Sequence, residues 1–281
     1  MIGVLRLSSL GDVVLASAIT GPLQQVAFIT QERFHGLVER FQGVRRLLGP
    51  GDKAALTRLV DLQSSPRSLA ICMGLKAPVR RVEMHRLARW SRVAWKRPDS
   101  IPRVIDRYAR AAGVEPSPGP WIPVHGSSER VALVPGASHA TKRWPLSHWI
   151  RLAASLDRPL VLGGPGEEAL VRQLAQASGG EAVVEAGFER TLRALGDSRL
   201  LVAGDTGLLH LAAACGVPVL GLFGPTTSQD GFWCHPGRAL ELDLACRPCS
   251  RHGGPSCAMG DHACLELLDP ERVLEAIAST G

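Results

Sequence analysis

Residues 200–226 read LLVAGDTGLLHLAAACGVPVLGLFGPT. Leu200–Ala203 is a short apolar run and reads as a strand that ends in the turn Gly204-Asp205. Thr206 and Gly207 open a helix rich in small residues, and Gly216-Val217-Pro218 ends it. The next strand, Val217–Phe223, runs into Gly224-Pro225-Thr226. Both strands are apolar at successive positions, so neither has a solvated face, and strands of that kind belong to parallel sheets covered by helices on both sides.

The same unit recurs on either side. Toward the N-terminus, Val131–Pro135, Leu160–Leu162 and Val183–Glu185 are further short strands, alternating with helices at Ser147–Leu156 and Glu167–Ala177. Residues 113–128 (GVEPSPGPWIPVHGSS) carry four Pro and three Gly without periodicity and read as a linker. Before it the pattern appears once more, with strands at Ile2–Leu7, Val26–Thr30, Leu59–Leu62 and Leu69–Cys72 and a helix at Val13–Ile19. Strands alternating with helices predict an α/β chain of two doubly wound parallel domains, residues 1–120 and 121–281.

Ligands of such sheets collect in the loops after the strands, and three loops carry chemistry. The first is Ser8-Ser9-Leu10-Gly11-Asp12, where Asp12 reads equally well as a helix cap and as a general base. The second runs from Pro135-Gly136-Ala137-Ser138 to Thr141-Lys142-Arg143-Trp144-Pro145. Its small residues let backbone amides approach a phosphate, with two cations beside them. The third is Gly204-Asp205-Thr206-Gly207 at a helix N-terminus suited to a diphosphate, with His210 one turn later on the same face. No P-loop and no nucleophile elbow occur. Gly164-Pro165-Gly166-Glu167-Glu168-Ala169 is a relaxed dinucleotide-like loop that points to some nucleotide contact.

Composition narrows the class. No run of about 18 apolar residues is present, and the N-terminus lacks the basic stretch of a signal peptide, which predicts a cytoplasmic protein. The formal charge of +6 is uneven: residues 76–110 carry a local +8 and the rest of the chain about −2. That asymmetry predicts an anionic partner. Arg86, Arg89 and Arg92 recur at helical spacing beside Leu87, Trp90 and Ala94, which reads as a basic amphipathic helix at an anionic surface. Four cysteines form the series Cys246-x2-Cys249-x7-Cys257-x6-Cys264. A structural zinc, disulfides and free thiols are all open readings of them.

The blocks VLRLSSLGDVVLA, VPGASHATKRWPLSHW and GDTGLLHLAAACGVPVLGLFGPT, in this order, resemble glycosyltransferase family nine, the lipopolysaccharide heptosyltransferases. Residues 61–68 (DLQSSPRS) resemble the acceptor segment of that family. Two departures are visible: the N-terminal half is short, and Leu208-Leu209 stands where Pro-Met is common. The resemblance implies a GT-B fold, two Rossmann-like domains facing each other across a cleft. It implies inverting transfer of a sugar, heptose from ADP-heptose, to an inner-core or related glycan. Asp12 would be the general base, with Lys142 stabilising the departing diphosphate. Ser138, Thr141, Glu167, Asp205, Thr206, Gly207 and His210 would bind the donor, with Glu167 at the ribose. Ser9, Arg67, Arg86 and Arg89 would face the acceptor. No redox cofactor or catalytic metal is implied. The partners would be the nucleotide-sugar donor and an anionic glycolipid met by peripheral contact with the cytoplasmic leaflet. Two rivals remain. One is a nucleic-acid-binding protein with a four-cysteine metal site, disfavoured by few aromatics and by the distance in sequence between basic stretch and cysteines. The other is a non-catalytic nucleotide-sugar binder, disfavoured by Asp12.

Overall fold

In the computed structural model, residues 1–96, 101–126, 129–184, 187–230 and 235–280 are described. The expected strand residue Glu185 and linker residues Ser127 and Ser128 lie outside them. The chain divides into two compact units: Met1–His85 with Pro102–Pro123 and Ala214–Gly216, and Arg86–Ile101 with Val124–Ala213 and Val217–Gly281. Residues 86–101, within the expected 1–120 span, group with the second unit. The reason is that Arg92 donates to Thr227 Oγ1, and Lys96 to the carbonyls of Cys246 and Pro248.

The first unit holds β1 (Ile2–Leu5), β2 (Val26–Ile29), β3 (Val44–Leu48), β4 (Arg58–Asp61) and β5 (Val79–Arg81), in the order β3-β2-β1-β4-β5. The second holds β6 (Val131–Val134), β7 (Leu160–Gly163), β8 (Glu181–Val184), β9 (Leu200–Gly204), β10 (Val219–Phe223) and β11 (Gly237–Glu241), in the order β11-β10-β9-β6-β7-β8. Every strand pair is parallel. Both orders are those of a doubly wound sheet, as the strand–helix alternation predicts. The central strands β1, β2, β6, β7, β9 and β10 are buried along nearly their whole length, which explains their unbroken apolar sequence.

One expected strand is overturned. Leu69–Cys72 lies in the helix Pro66–Leu75. Ser65 caps that helix by accepting from the Ser68 amide at 3.2 Å, and Pro66 occupies the first turn, where no amide hydrogen bond is lost. The neighbouring strand is instead β5, an edge strand whose Arg80 and Arg81 are exposed. Edge strands β3 and β11 also escape a search for apolar runs, since one side of each is solvated. Among the described residues, no helix is long and apolar enough to cross a membrane.

Candidate functional site

Each sheet reverses its direction of winding at one point: between β1 and β4 in the first, between β6 and β9 in the second. Loops leaving the carboxyl ends of strands at such points form a crevice that takes ligands. Most of the expected site residues follow β1, β4, β6 or β9; Glu167 follows β7, and Arg86 and Arg89 lie on the helix Arg86–Trp95.

In the first unit, Asp12 is the third residue of the helix Leu10–Leu15, with Ser9 as its N-cap. The Ser9 hydroxyl and amide donate to Asp12 Oδ2 at 2.9 and 3.4 Å, the return half of a capping box. Arg6 Nη2 reaches the same oxygen at 2.5 Å, and the Tyr108 hydroxyl donates to Oδ1 at 3.2 Å. Burial pushes the Tyr108 phenol well above its ordinary value, so it remains a proton donor. Burial works against the Arg6 charge, but Tyr108 and Asp12 outweigh it and leave that pKa raised. The Asp12 side chain keeps 32% exposure, enough for an incoming hydroxyl to reach it. The cap therefore leaves this carboxylate partly open to solvent.

The loop after β4 braces this arrangement. Gln63 Oε1 accepts from the amides of Leu7 and Ser8 at 3.1 and 3.4 Å. Asp61 is fully buried and accepts from the Gln63 and Ser64 amides and the Ser68 hydroxyl, with Arg81 Nε at 3.4 Å. Ser9 is exposed beside Asp12, and Arg67 is exposed in the first turn of Pro66–Leu75. Arg86 and Arg89 lie on the helix Arg86–Trp95 of the second unit.

In the second unit, Lys142 Nζ contacts Asp205 Oδ2 at 2.5 Å, with both side chains nearly buried. The same oxygen accepts from the buried Thr226 hydroxyl at 3.0 Å. Lys142 follows β6, Asp205 follows β9 and Thr226 follows β10, so three loops close on one carboxylate. The Thr206 hydroxyl accepts from the Leu209 amide at 3.4 Å at the start of the helix Gly207–Ala214, and His210 is buried one turn in. Glu167 Oε2 accepts from the Gly164 amide at 2.9 Å. Its carboxylate lies against Gly136, where a Cβ would fall 2.0 Å from Oε1. Ser138 is exposed on the same loop. Thr141 is buried and committed elsewhere: it exchanges hydrogen bonds with Gly254 through its hydroxyl and amide, and its carbonyl meets His262 Nε2 at 2.7 Å. Gly253, at φ +84°, packs within about van der Waals reach of the Lys142 stem.

Arg247 organises the neighbouring turn. Its guanidinium donates to the carbonyls of Phe223, Gly224, Thr226 and Leu242 and pairs with Glu241 Oε2 at 2.7 Å. The segment that sequence reading treats as a cysteine cluster thus supports the loop carrying Thr226.

The four tail cysteines lie near one another: Cys249 feels Cys246 and Cys257 electrostatically, and Cys264 feels all three others. Cys246, Cys249, Cys257 and Cys264 are free thiols, and among the described residues no group of three or more His, Cys, Asp and Glu is placed to hold an ion. Burial holds the Cys249 thiol above its ordinary value and pushes Cys264 to about 11, with the other tail cysteines adding to both. Cys249 is turned toward the Pro225 carbonyl at 3.8 Å, and Cys264 is packed in the second core with Leu265 and Leu268. Cys249 and Cys264 thus serve local packing.

A family model, glycosyltransferase family 9 (heptosyltransferase), matches residues 105–253, a range that contains Lys142, Glu167, Asp205 and Thr226. Lipooligosaccharide heptosyltransferase 2 of Campylobacter jejuni is 30% identical over 158 residues, 52% of this chain and 49% of that protein. The chain spans about half the length of the curated relatives it matches. Among solved structures, E. coli ADP-heptose LPS heptosyltransferase II shares the fold at TM-score 0.73 and 16% identity, over 99% of this chain and 98% of the other. E. coli heptosyltransferase WaaC with ADP-2-deoxy-2-fluoro heptose does so at TM-score 0.72 and 17% identity, over 100% and 99%. With more than half of its residues matched by the family model, the chain belongs to glycosyltransferase family 9.

Proposed function

We propose that this chain is an inverting glycosyltransferase that moves a sugar, heptose from ADP-heptose, onto a lipopolysaccharide inner-core or related glycan. The observation that carries the reading is the Lys142–Asp205–Thr226 cluster at the crossover of the second sheet, beside the N-terminus of Gly207–Ala214. A diphosphate there meets an ammonium and the positive end of a helix dipole, both aimed at charge that grows as the sugar departs. The ADP-heptose analogue bound by the structurally similar E. coli heptosyltransferase supports ADP as the nucleotide. Glu167 is our candidate for the ribose hydroxyls, and Asp205 and His210 for the sugar or phosphate.

The chemistry is one displacement. An acceptor hydroxyl attacks the anomeric carbon and gives its proton to Asp12. The bond to the diphosphate oxygen breaks, and Lys142 and the helix amides take up its charge. Arg6, Ser9 and Tyr108 fix the Asp12 carboxylate during the attack. The acceptor is an anionic glycolipid, with Ser9, Arg67, Arg86 and Arg89 as contacts, so the enzyme works peripherally at the cytoplasmic face of a membrane.

The test is Asp12→Asn. Transfer from ADP-heptose should fall about 10²–10⁴-fold, while ADP affinity measured by calorimetry stays at the parent value. Near-parent turnover would leave Asp12 a helix cap and sink the mechanism.

A further inference from the structure

The helix Arg86–Trp95 is turned inside out for a water-facing surface. Leu87 is 83% exposed, Trp90 52% and Trp95 58%, and the two indoles pack edge to face with centroids 4.7 Å apart. Leu87, Trp90 and Ala94 follow i, i+3, i+7 spacing, so they share one exposed face. The inward side carries Ser91 and Arg92, both buried. Arg92 Nη2 donates to Thr227 Oγ1 at 3.3 Å. Lys96 Nζ, just past the helix end, donates to the Cys246 and Pro248 carbonyls at 2.9 and 2.7 Å. Polar contacts thus clamp the helix to the second unit and leave its apolar face outward. Of the three arginines expected on a basic outer face, Arg92 is instead the buried anchor, while Arg86 is exposed and Arg89 partly so.

We infer that Leu87, Trp90, Ala94 and Trp95 are a membrane-inserting face that seats in the headgroup and upper acyl region of an anionic bilayer. Indole rings favour that depth, where an apolar body and a polar N–H are both accommodated. Charge selects the lipid. Residues 76–110 carry eleven Lys or Arg against three acids, and exposed Arg86 and partly exposed Arg89 border the apolar face. That net positive charge favours anionic headgroups. A second copy of this chain is the poorer occupant, because a two-fold contact over this face would set those arginines against their own copies. The inference goes beyond the transfer reading and stands without it, since lipid binding needs no turnover.

The experiment is co-sedimentation of the full chain with vesicles of two parts phosphatidylcholine to one part phosphatidylglycerol, at low and high salt. Vesicles of phosphatidylcholine alone serve as reference. A parallel series carries brominated acyl chains to quench inserted indoles. The parent should bind the anionic vesicles and lose part of its tryptophan emission to bromine. The triple variant L87S/W90S/W95S should partition roughly tenfold less or worse and lose the quenching. Its thermal midpoint and ADP affinity should be unchanged, because all three side chains are exposed. Arg86→Glu with Arg89→Glu should weaken binding at low salt and erase the preference for anionic over neutral vesicles. Three results would overturn the inference: no sedimentation of the parent, binding by the triple variant equal to the parent's, or a concentration-dependent dimer that the triple variant abolishes.

Discussion

Removing the Lys142 ammonium should cost more in folding than in ligand contact. Lys142 and Asp205 keep 10% and 5% of their side-chain surface and meet at 2.5 Å. In Lys142→Met the stem still packs, but Asp205 stays buried with only Thr226 donating to it among the contacts described above. Stranding one member of a buried pair costs about 3–5 kcal/mol, a large part of the roughly 5–15 kcal/mol that holds a domain together. At about 2–4 °C per kcal/mol, the melting midpoint should fall by about 6–20 °C. Asp205→Asn should cost less, since the lysine can swing toward solvent and the amide keeps the Thr226 hydrogen bond. The double variant has no stranded charge, and the pair should show a coupling of about 2–3 kcal/mol. Urea unfolding followed by fluorescence suits the measurement, because Trp144 and Trp149 lie in the core of this unit. Below the transition, Lys142→Met should bind ADP more weakly, as the diphosphate loses the ammonium. Additive single losses in the double variant, or a parent-like midpoint for Lys142→Met, would refute the reasoning.

Two further outcomes follow from geometry elsewhere. Gly136→Ala drives a methyl into the Glu167 carboxylate, a flexible side-chain end. The fold should hold within about 1 kcal/mol, while ADP affinity drops about tenfold; calorimetry showing parent affinity would remove Glu167 from the donor site. Burial pushes the Cys215 thiol from 9.0 to about 12, so the folded chain holds that proton more tightly than the unfolded one. Its contribution is complete below about pH 9 and is lost as pH rises through about 12. The urea midpoint should therefore fall across that window with a slope approaching about 1.4 kcal/mol per pH unit, and Cys215→Ala should flatten the fall; equal slopes would discard the thiol as its source.

The central strands and the loops bearing Asp12, Lys142, Asp205 and Thr206 were legible in sequence because buried parallel strands leave unbroken apolar runs and their loops begin where those runs stop. Edge strands β3, β5 and β11 were not, since a half-solvated strand tolerates Arg46, Arg80 and Arg238. The supports of the site were hidden for another reason. Gln63 and Tyr108 act through partners far away in the chain, with separations of 96 residues for Tyr108 and Asp12 and 56 for Gln63 and Leu7. No local pattern announces such a pairing. Tyr108 alone carried a signal, as the only tyrosine in the chain. Burial of Arg92 on the helix Arg86–Trp95 was not legible either, because amphipathic spacing reports that two faces differ, not which of them meets the protein.

The clasp between Thr141 and the tail sets an order of assembly. Thr141 binds Gly254, 113 residues later, and His262, 121 residues later, while the Trp144 indole donates to Leu268. During synthesis from the N-terminus, the β6 strand and the residues around Lys142 emerge long before the segment that pins them. The loop after β6 therefore waits, unfinished, until the ribosome has delivered the tail. The first sheet closes on residues 2–81 and needs no such wait for its own strand pairings. A growing chain consequently completes the surroundings of Asp12 early and those of Lys142 only once residue 268 has emerged.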